Sequence, residues 1–346
     1  MRGQVESGME DYERREKLFV RYFLLAVCLT LAHFVHSSWF MYFQASLKTP
    51  ASSTLYAPEA YRVMMPMLWH FLSSVFAMKN PAWVAAALDG LFGYAALWIF
   101  YRLTIQELPT QPEERQGRQG RQNRQQRLIV VALYLAMIQF PINWIVPWQR
   151  PETMPTSLFL ALALFCLARS RRSGTWLAVL LAATVFQSFV RADVPFVFGA
   201  ALFILSFAGA TLQDFGSRAA NAMKGALMVV IAGSVQGYLQ FVRYPHLSYT
   251  PGTSVVQLRD NLLPHNLLSL TLALLPFLLL AVAAFKTRAR LNSVESLTIA
   301  AALLYLPIWL TVGSAGEVRI FVPFLLALCV VAARVFASCF NALEAA

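Results

Sequence analysis

The sequence predicts an all-α membrane protein, a polytopic bundle of about ten transmembrane helices with one interfacial helix in the first outer loop. Composition gives the first indication. Hydrophobic residues make up 58% of the 346 residues, charged residues only 13%, and the mean hydropathy is +0.56, whereas about a quarter of the residues in a soluble domain are charged. The second indication is that the apolar residues are collected in runs long enough to cross a hydrocarbon core of about 30 Å.

Ten apolar segments are expected to cross the membrane. Most are long enough to span it directly, but two neighbouring ones near the middle of the chain are too short to cross without local thinning or recession. The long segments are 18–43, 82–103, 128–147, 195–212, 224–242, 265–285, 296–312 and 319–337, and the short ones are 155–168 and 175–190. Short neighbouring helices predict a local funnel in the bundle.

The apolar stretch 61–78 decides the predicted topology. If it crossed the membrane, the arginine-rich segment 102–127 would lie opposite the basic N-terminus, against the positive-inside rule. If it lies along the outer interface, 20 of the 28 Lys and Arg residues fall on the cytoplasmic side and 8 outside. We therefore predict that both termini are cytoplasmic, in a membrane of the bacterial inner-membrane type.

The predicted organisation is a single transmembrane domain, 18–337, between two short cytoplasmic segments. These are an N-terminal segment, 1–17, and a C-terminal tail, 338–346. Within the domain, the first outer loop, 44–81, contains the interfacial helix. Residues 104–127 form an arginine-rich cytoplasmic loop.

The formal net charge of +11 follows membrane topology, because the basic residues concentrate in alternate loops. Nucleic acid is therefore not an expected partner, whereas membrane lipids are. In the run 115–127, Arg recurs at every third position, which would spiral around a helix instead of forming one face. A flexible loop that fixes topology is the simpler interpretation, and contact with anionic lipid head groups is the alternative. The sequence leaves the oligomeric state open.

Pairs of charged residues border the apolar segments on the predicted outer side. Ionisable groups at such positions are costly, so they usually face a watery cavity or one another. The pairs are Glu59 with Arg62, Arg150 with Glu152, Arg191 with Asp193, Arg259 with Asp260, and Glu317 with Arg319. Each pair is either part of a site or a salt bridge that ties helices together.

Two carboxylates are candidates for a catalytic base. Glu59 is the only carboxylate in the loop that precedes the interfacial segment, and a carboxylate at the mouth of a membrane cavity can accept a proton from a substrate. Asp193 lies between two apolar segments, at the floor of the predicted funnel. An isolated surface ion pair would contribute at most about 1 kcal/mol, which hardly explains a charge at that position.

Substrate binding is assigned to the charged residues that flank these carboxylates. A guanidinium suits a phosphate because its planar fork donates two parallel charge-assisted hydrogen bonds, and such cations stabilise charge that develops on a phosphate. The predicted substrate-binding residues are Arg62, Arg150, Glu152, Arg191, Glu317 and Arg319. The five histidines all fall in the outer half, but they lack the HExxH arrangement of a zinc site, so the cofactor remains unknown.

Two short motifs, YRVMMP at 61–66 and EVRIFVP at 317–323, look like motifs of a known family. Together with the helix–loop–bundle layout, they make the chain resemble the GT-C superfamily of integral membrane glycosyltransferases. The resemblance implies transfer of a sugar from a polyprenyl-phosphate-linked donor on the outer face, with a loop acid as base and often a divalent metal. The matching loop position is Glu59, where that superfamily usually has Asp.

Other classes of membrane protein remain compatible with the same residues. In a transporter, flippase or lipid-linked polymerase, the arginines would bind an anionic substrate during passage or elongation. In a membrane scaffold without catalysis, the charged pairs would only tie helices together. Convergence of the predicted site residues around one cavity would favour an enzyme, and their dispersal would favour ties.

Overall fold

The computed structural model describes residues 2–48, 63–78, 81–106, 118–145, 152–171, 173–208, 212–245, 258–286, 291–312 and 318–344. These residues are almost entirely helical, and no strand occurs among them. The helices are α1 (Arg2–Lys48), α2 (Met64–Val75), α3 (Pro81–Gln106), α4 (Arg118–Ile145), α5 (Thr153–Ser170), α6 (Gly174–Arg191), α7 (Asp193–Phe207), α8 (Arg218–Gly237), α9 (Pro264–Lys286), α10 (Ser293–Val312) and α11 (Val322–Glu344). The all-α prediction is confirmed.

Seven helical segments within the described residues are long and apolar enough to cross a membrane, so this is a multi-pass membrane protein in contact with lipid. They lie in α1, α3, α4, α5, α6, α8 and α10. Helices α7, α9 and α11 contain shorter apolar stretches. A helix therefore exists at each of the ten predicted positions, while ten full crossings stay a prediction. The predicted interfacial segment contains the 12-residue helix α2.

The two segments predicted to be too short are longer than expected. Helices α5 and α6 each have 18 residues and qualify as candidate spans, whereas α7 has only 15. The prediction missed the polar residues at the helix ends. Thr153 and Arg191 continue the backbone hydrogen bonding of α5 and α6 because their side chains are buried in the bundle, where hydropathy no longer marks the helix boundary.

Part of the arginine-rich run is helical, which differs from the predicted flexible loop. Helix α4 begins at Arg118, seven residues before the apolar segment Gln125–Asn143. Arg and Gln are good helix formers, so a membrane helix can extend into water through them. Arg127 fixes this extension by donating hydrogen bonds to the carboxylates of Glu13 and Glu16 on α1.

Close helix packing depends on small residues at the crossing of α7 and α8. A Cβ on Gly199 of α7 would lie 2.8 Å from the carbonyl oxygen of Gly225 on α8, and a Cβ on Gly225 would lie 2.6 Å from the carbonyl oxygen of Gly199. Such contacts let membrane helices approach through their backbones. On α3, Gly93 faces the Met154 side chain of α5, which would lie 3.4 Å from an added Cβ, an ordinary van der Waals distance.

Several polar contacts tie the bundle together at the end where α1 begins, which we call the N-terminal end. The ammonium of Lys224 donates to Ser170 Oγ at 2.7 Å and to the carbonyl oxygen of Phe215 at 2.6 Å. The hydroxyl of Ser293 donates to Asp214 Oδ2 at 2.6 Å. These bonds join the ends of α5, α8 and α10, so neighbouring helices run up and down the bundle.

At the opposite end, α5 begins well inside the bundle. Met154, its second residue, packs against Gly93, which lies near the middle of the 26-residue helix α3. At 1.5 Å per residue, this contact lies about 18 Å along α3 from its first residue. The start of α5 is therefore recessed, as the predicted funnel requires, and the end of α6 is recessed with it because Gln187 bonds to the carbonyl oxygen of Thr156.

Candidate functional site

The junction between α6 and α7 lies in this recess and carries two charged residues. Arg191 ends α6, a single residue follows, and Asp193 begins α7. An acidic residue in the first turn of a helix is stabilised by the helix dipole. The guanidinium of Arg191 binds the carboxylate of Asp193 with both oxygens engaged, Nη2 to Oδ2 at 2.6 Å and Nε to Oδ1 at 3.3 Å.

The same guanidinium contacts two other helices. Its Nη1 donates to the carbonyl oxygen of Ile320 at 3.1 Å, in the 3₁₀ turn Val318–Ile320 that precedes α11. Its Nη2 also donates to the phenol oxygen of Tyr305 on α10. The guanidinium of Arg191 thus makes four hydrogen bonds to protein groups. Arginine has five N–H donors, so most of its donor capacity is used within the protein.

Tyr305 completes a triad with Arg191 and Asp193. Its phenol donates to Asp193 Oδ2 at 2.5 Å. Its ring stacks on Phe321 and Phe324 of the α11 start, with centroids 6.0 Å and 4.7 Å away. We call Arg191, Asp193 and Tyr305 the outer triad. It joins α6, α7, α10 and the start of α11.

Exposure within the outer triad is uneven, and this asymmetry defines what the triad can do. The side chain of Arg191 is 5% exposed, whereas that of Asp193 is 35% exposed. Tyr305 is fully buried. The cation is therefore enclosed by protein, and the carboxylate is the accessible member of the charged pair.

Glu152 adds a second carboxylate to this region. It immediately precedes α5, is buried, and interacts electrostatically with Arg191. One guanidinium is thus balanced by two carboxylates. A phosphate bound in the recess would need a further cation, and the predicted candidates are Arg62, Arg150 and Arg319.

Below the triad, the facing sides of α5 and α6 carry buried polar residues that are satisfied within their own helices. The hydroxyls of Thr156 and Ser157 donate to backbone carbonyls one turn earlier, as do those of Thr184 and Ser188. Such back-bonding satisfies hydroxyls that are buried in an apolar bundle. These hydroxyls are fully buried, so they allow polar residues at the packed interior of α5 and α6.

Helix α2 packs over one side of the recess. Its buried residues Met65 and Trp69 belong to one apolar cluster with Val84 of α3 and Val190 of α6. Val190 directly precedes Arg191. The predicted interfacial helix thus contributes to the wall beside the outer triad.

The structure brings together three of the eight predicted site residues, namely Arg191, Asp193 and Glu152. Glu59, Arg62, Arg150 and Glu317 lie outside the described residues and stay predictions. Arg319 lies in the 3₁₀ turn next to Ile320, whose carbonyl accepts from Arg191, but its side chain is outside the described part. Of the remaining pair, Arg259 and Asp260 are exposed in a short helical turn.

Tyr305 was not predicted from the sequence. A single tyrosine within an apolar run has no pattern that points to a site, although a buried phenol usually has a hydrogen-bond partner. Asp89, another intramembrane acid, is also buried. It lies one turn from Gly93 on α3, close enough to Cys28 to interact electrostatically.

A divalent metal, which the resemblance implies, does not fit the described residues. Among them, no group of three or more His, Cys, Asp or Glu side chains is placed to hold a metal ion. Histidines 33, 36, 70 and 265 are spread over α1, α2 and α9.

Comparison with known proteins identifies no relative, since no protein-family model, no curated protein and no solved structure matches the chain. The outer triad and its surroundings are therefore the basis for a functional proposal.

Proposed function

We propose that this protein is a membrane glycosyltransferase that transfers a sugar from a polyprenyl-phosphate-linked donor at the outer triad. The observation that carries the proposal is the orientation of the triad, with the Arg191 cation buried and the Asp193 carboxylate 35% exposed in a recess of the bundle. An accessible carboxylate can accept a proton from a substrate. We place the site at membrane depth, where a polyprenyl chain would reach it laterally.

The reaction assigns each predicted residue a task. An acceptor hydroxyl attacks the anomeric carbon of the sugar, its proton passes to a carboxylate, and the bond from that carbon to the phosphate oxygen breaks. Polyprenyl phosphate leaves with the bonding electrons. Asp193 is the described carboxylate that is placed to accept the proton, and Glu59 is the alternative from the first outer loop.

The donor phosphate requires cations other than Arg191, because Arg191 is already neutralised by protein carboxylates. Arg319 supports the proposal by its position, since its turn is hydrogen-bonded to Arg191 through Ile320. Arg62 and Arg150 are further candidates. Cations placed in advance around a phosphate stabilise the charge that develops as the donor bond breaks.

The test is a turnover assay on the purified full-length protein. Release of polyprenyl phosphate would be measured with a panel of lipid-linked sugars for wild type, Asp193→Asn and Glu59→Gln. If Asp193 is the base, Asp193→Asn alone should lose about 10² to 10⁴-fold in rate. Loss in Glu59→Gln alone would assign the base to the first outer loop.

A matched control is available at the N-terminal end of the bundle. Glu16→Gln also removes a buried carboxylate charge that is bound by an arginine and a tyrosine, but it is remote from the recess. It should therefore leave turnover unchanged. Wild type without turnover on any donor would overturn the glycosyltransferase proposal and favour transport of an anionic lipid or a structural tie.

A further inference from the structure

We infer that Tyr305 is a positioning residue. It holds the Asp193 carboxylate in a fixed orientation relative to the turn that contains Arg319, and this inference rests on the proposed function of the site. The phenol donates to Asp193 Oδ2 at 2.5 Å, on the same oxygen that accepts from Arg191 Nη2 at 2.6 Å. Together with the bond from Arg191 Nε to Oδ1 at 3.3 Å, these two bonds hold the carboxylate in one orientation.

Tyr305 is itself fixed by the start of α11. Its ring contacts those of Phe321 and Phe324, which also stack on each other, and Phe321 stacks on Trp309 with centroids 5.1 Å apart. These aromatic residues follow the Val318–Ile320 turn without a break in the chain. The rotation of the phenol therefore depends on where α11 begins.

The second donor to Asp193 depends on the same segment. Arg191 Nη1 donates to the carbonyl oxygen of Ile320 at 3.1 Å, so the guanidinium is also held by the turn. Both groups that orient Asp193 are thus attached to residues 318–324. A donor phosphate that binds Arg319 would act on the segment that positions the carboxylate, because Arg319 lies inside it.

This placement distinguishes Tyr305 from a residue that only stabilises the fold. Loss of its hydroxyl should lower kcat while the KM for the lipid-linked donor stays unchanged, because the phenol contacts the carboxylate and not the donor. Tyr305→Phe keeps the stacked ring, so the aromatic contacts with α11 are retained.

The inference is tested without turnover by chemical modification of Asp193. Full-length protein in detergent is treated with N,N′-dicyclohexylcarbodiimide at one fixed pH, and the adduct on Asp193 is quantified by mass spectrometry. Tyr305→Phe should be modified about tenfold faster than wild type, of the order expected for loss of one hydrogen bond to a charged group. Asp193→Asn identifies the background.

Tyr101→Phe is the matched control, since Tyr101 donates to a carboxylate, Glu16 Oε1, at 2.6 Å in the other half of the bundle. It should leave modification of Asp193 at the wild-type rate. Phe324→Leu keeps the Tyr305 hydroxyl but removes the ring stacked on it, and should give an intermediate increase. It provides the measurement if Tyr305→Phe fails to accumulate.

An unchanged modification rate in Tyr305→Phe, or in Phe324→Leu if only that variant accumulates, would overturn the positioning role even if the wild type is an active transferase. An increased rate in a protein that turns over no donor would instead retain the positioning role and reject the proposed function. In Tyr305→Phe, a lower kcat with an unchanged KM for the donor, together with faster modification of Asp193, would support both the positioning role and the proposed function.

Discussion

Two triads, each made of an arginine, a tyrosine and a carboxylate, lie at opposite ends of the bundle. The outer triad is Arg191, Asp193 and Tyr305. The inner triad, at the N-terminal end, is Arg127 on α4, Glu16 on α1 and Tyr101 on α3, in which Arg127 Nε donates to Glu16 Oε2 at 2.9 Å and the phenol donates to Oε1 at 2.6 Å. In each, one arginine and one tyrosine donate to the same carboxylate, and Arg127 also donates to Glu13 Oε1 at 3.1 Å.

The two triads differ in which charge is enclosed. In the inner triad the carboxylate of Glu16 is 3% exposed and the guanidinium of Arg127 is 18% exposed. In the outer triad the exposure is reversed, with the cation buried and the acid accessible. An enclosed acid ties α1, α3 and α4 together, whereas an accessible acid can meet a substrate. Similar residues thus enclose opposite charges at the two ends of the bundle.

The largest expected effect concerns the side of the membrane on which each triad lies. If the predicted topology holds, cysteines introduced at Gln119 and Arg288, on the inner-triad side, should be fully protected from an impermeant thiol reagent in intact cells. Cysteines at Ser53 and Ser248 should react. Labelling of Gln119→Cys from outside would reverse the assignment of inner and outer, and permeabilised cells provide the control for reactivity.

The next effect is on catalysis. Removal of the charge from the accessible acid by Asp193→Asn should reduce transfer by about 10² to 10⁴-fold, whereas Glu16→Gln should leave it unchanged. Rates of polyprenyl phosphate release, normalised to the amount of folded protein, measure the difference. Equal losses in both variants would mean that the triads share a structural role, and the functional contrast between them would fail.

Removal of the arginine should lower the free energy of unfolding more at the inner triad than at the outer triad. Arg127→Met leaves the enclosed carboxylate of Glu16 without its cation, and breaking a buried pair in this way costs about 3–5 kcal/mol. Arg191→Met leaves Asp193, which is accessible and can be hydrated, and Glu152, which is buried but has a further interaction of its own, so it should cost less. Thermal unfolding of the two variants in the same detergent gives the comparison, and a larger loss in Arg191→Met would contradict it.

The smallest effect is expected from the tyrosines. Tyr101→Phe and Tyr305→Phe each remove one hydrogen bond to a carboxylate and should lower stability by similar amounts, about 1.5–3 kcal/mol. Only Tyr305→Phe should also alter kcat. Melting temperatures and steady-state kinetics measured on the same preparations would separate the shared structural effect from the positioning effect.

The fold class and the helix positions could be predicted from the sequence because they depend on local hydropathy. Every apolar segment proposed from composition contains a helix, including the stretch that contains α2. Helices α5 and α6 extend one or two residues beyond each end of the predicted segments, because Thr153 and Arg191 are polar residues that neighbouring helices bury. Hydropathy along the chain contains no information about those neighbours.

The candidate site was partly accessible to the same reasoning. Adjacent charges at a break between apolar segments identified Arg191 and Asp193 as a pair, since few residues interrupt the hydrophobic pattern there. Tyr305 lies in an apolar run more than a hundred residues after Asp193 in the sequence. Its bond to Asp193 exists only because α10 packs against α7. The inner triad was missed for the same reason, since it joins three helices that are distant in sequence.

The sequence by itself determined that the protein is a multi-pass helical membrane protein and that charge is concentrated at a few helix ends. Both follow from the cost of placing charges and unpaired backbone groups in lipid. Only the tertiary structure decided that one arginine is buried while its carboxylate partner remains accessible. Exposure depends on the residues that surround a side chain, and in a bundle those residues come from other helices.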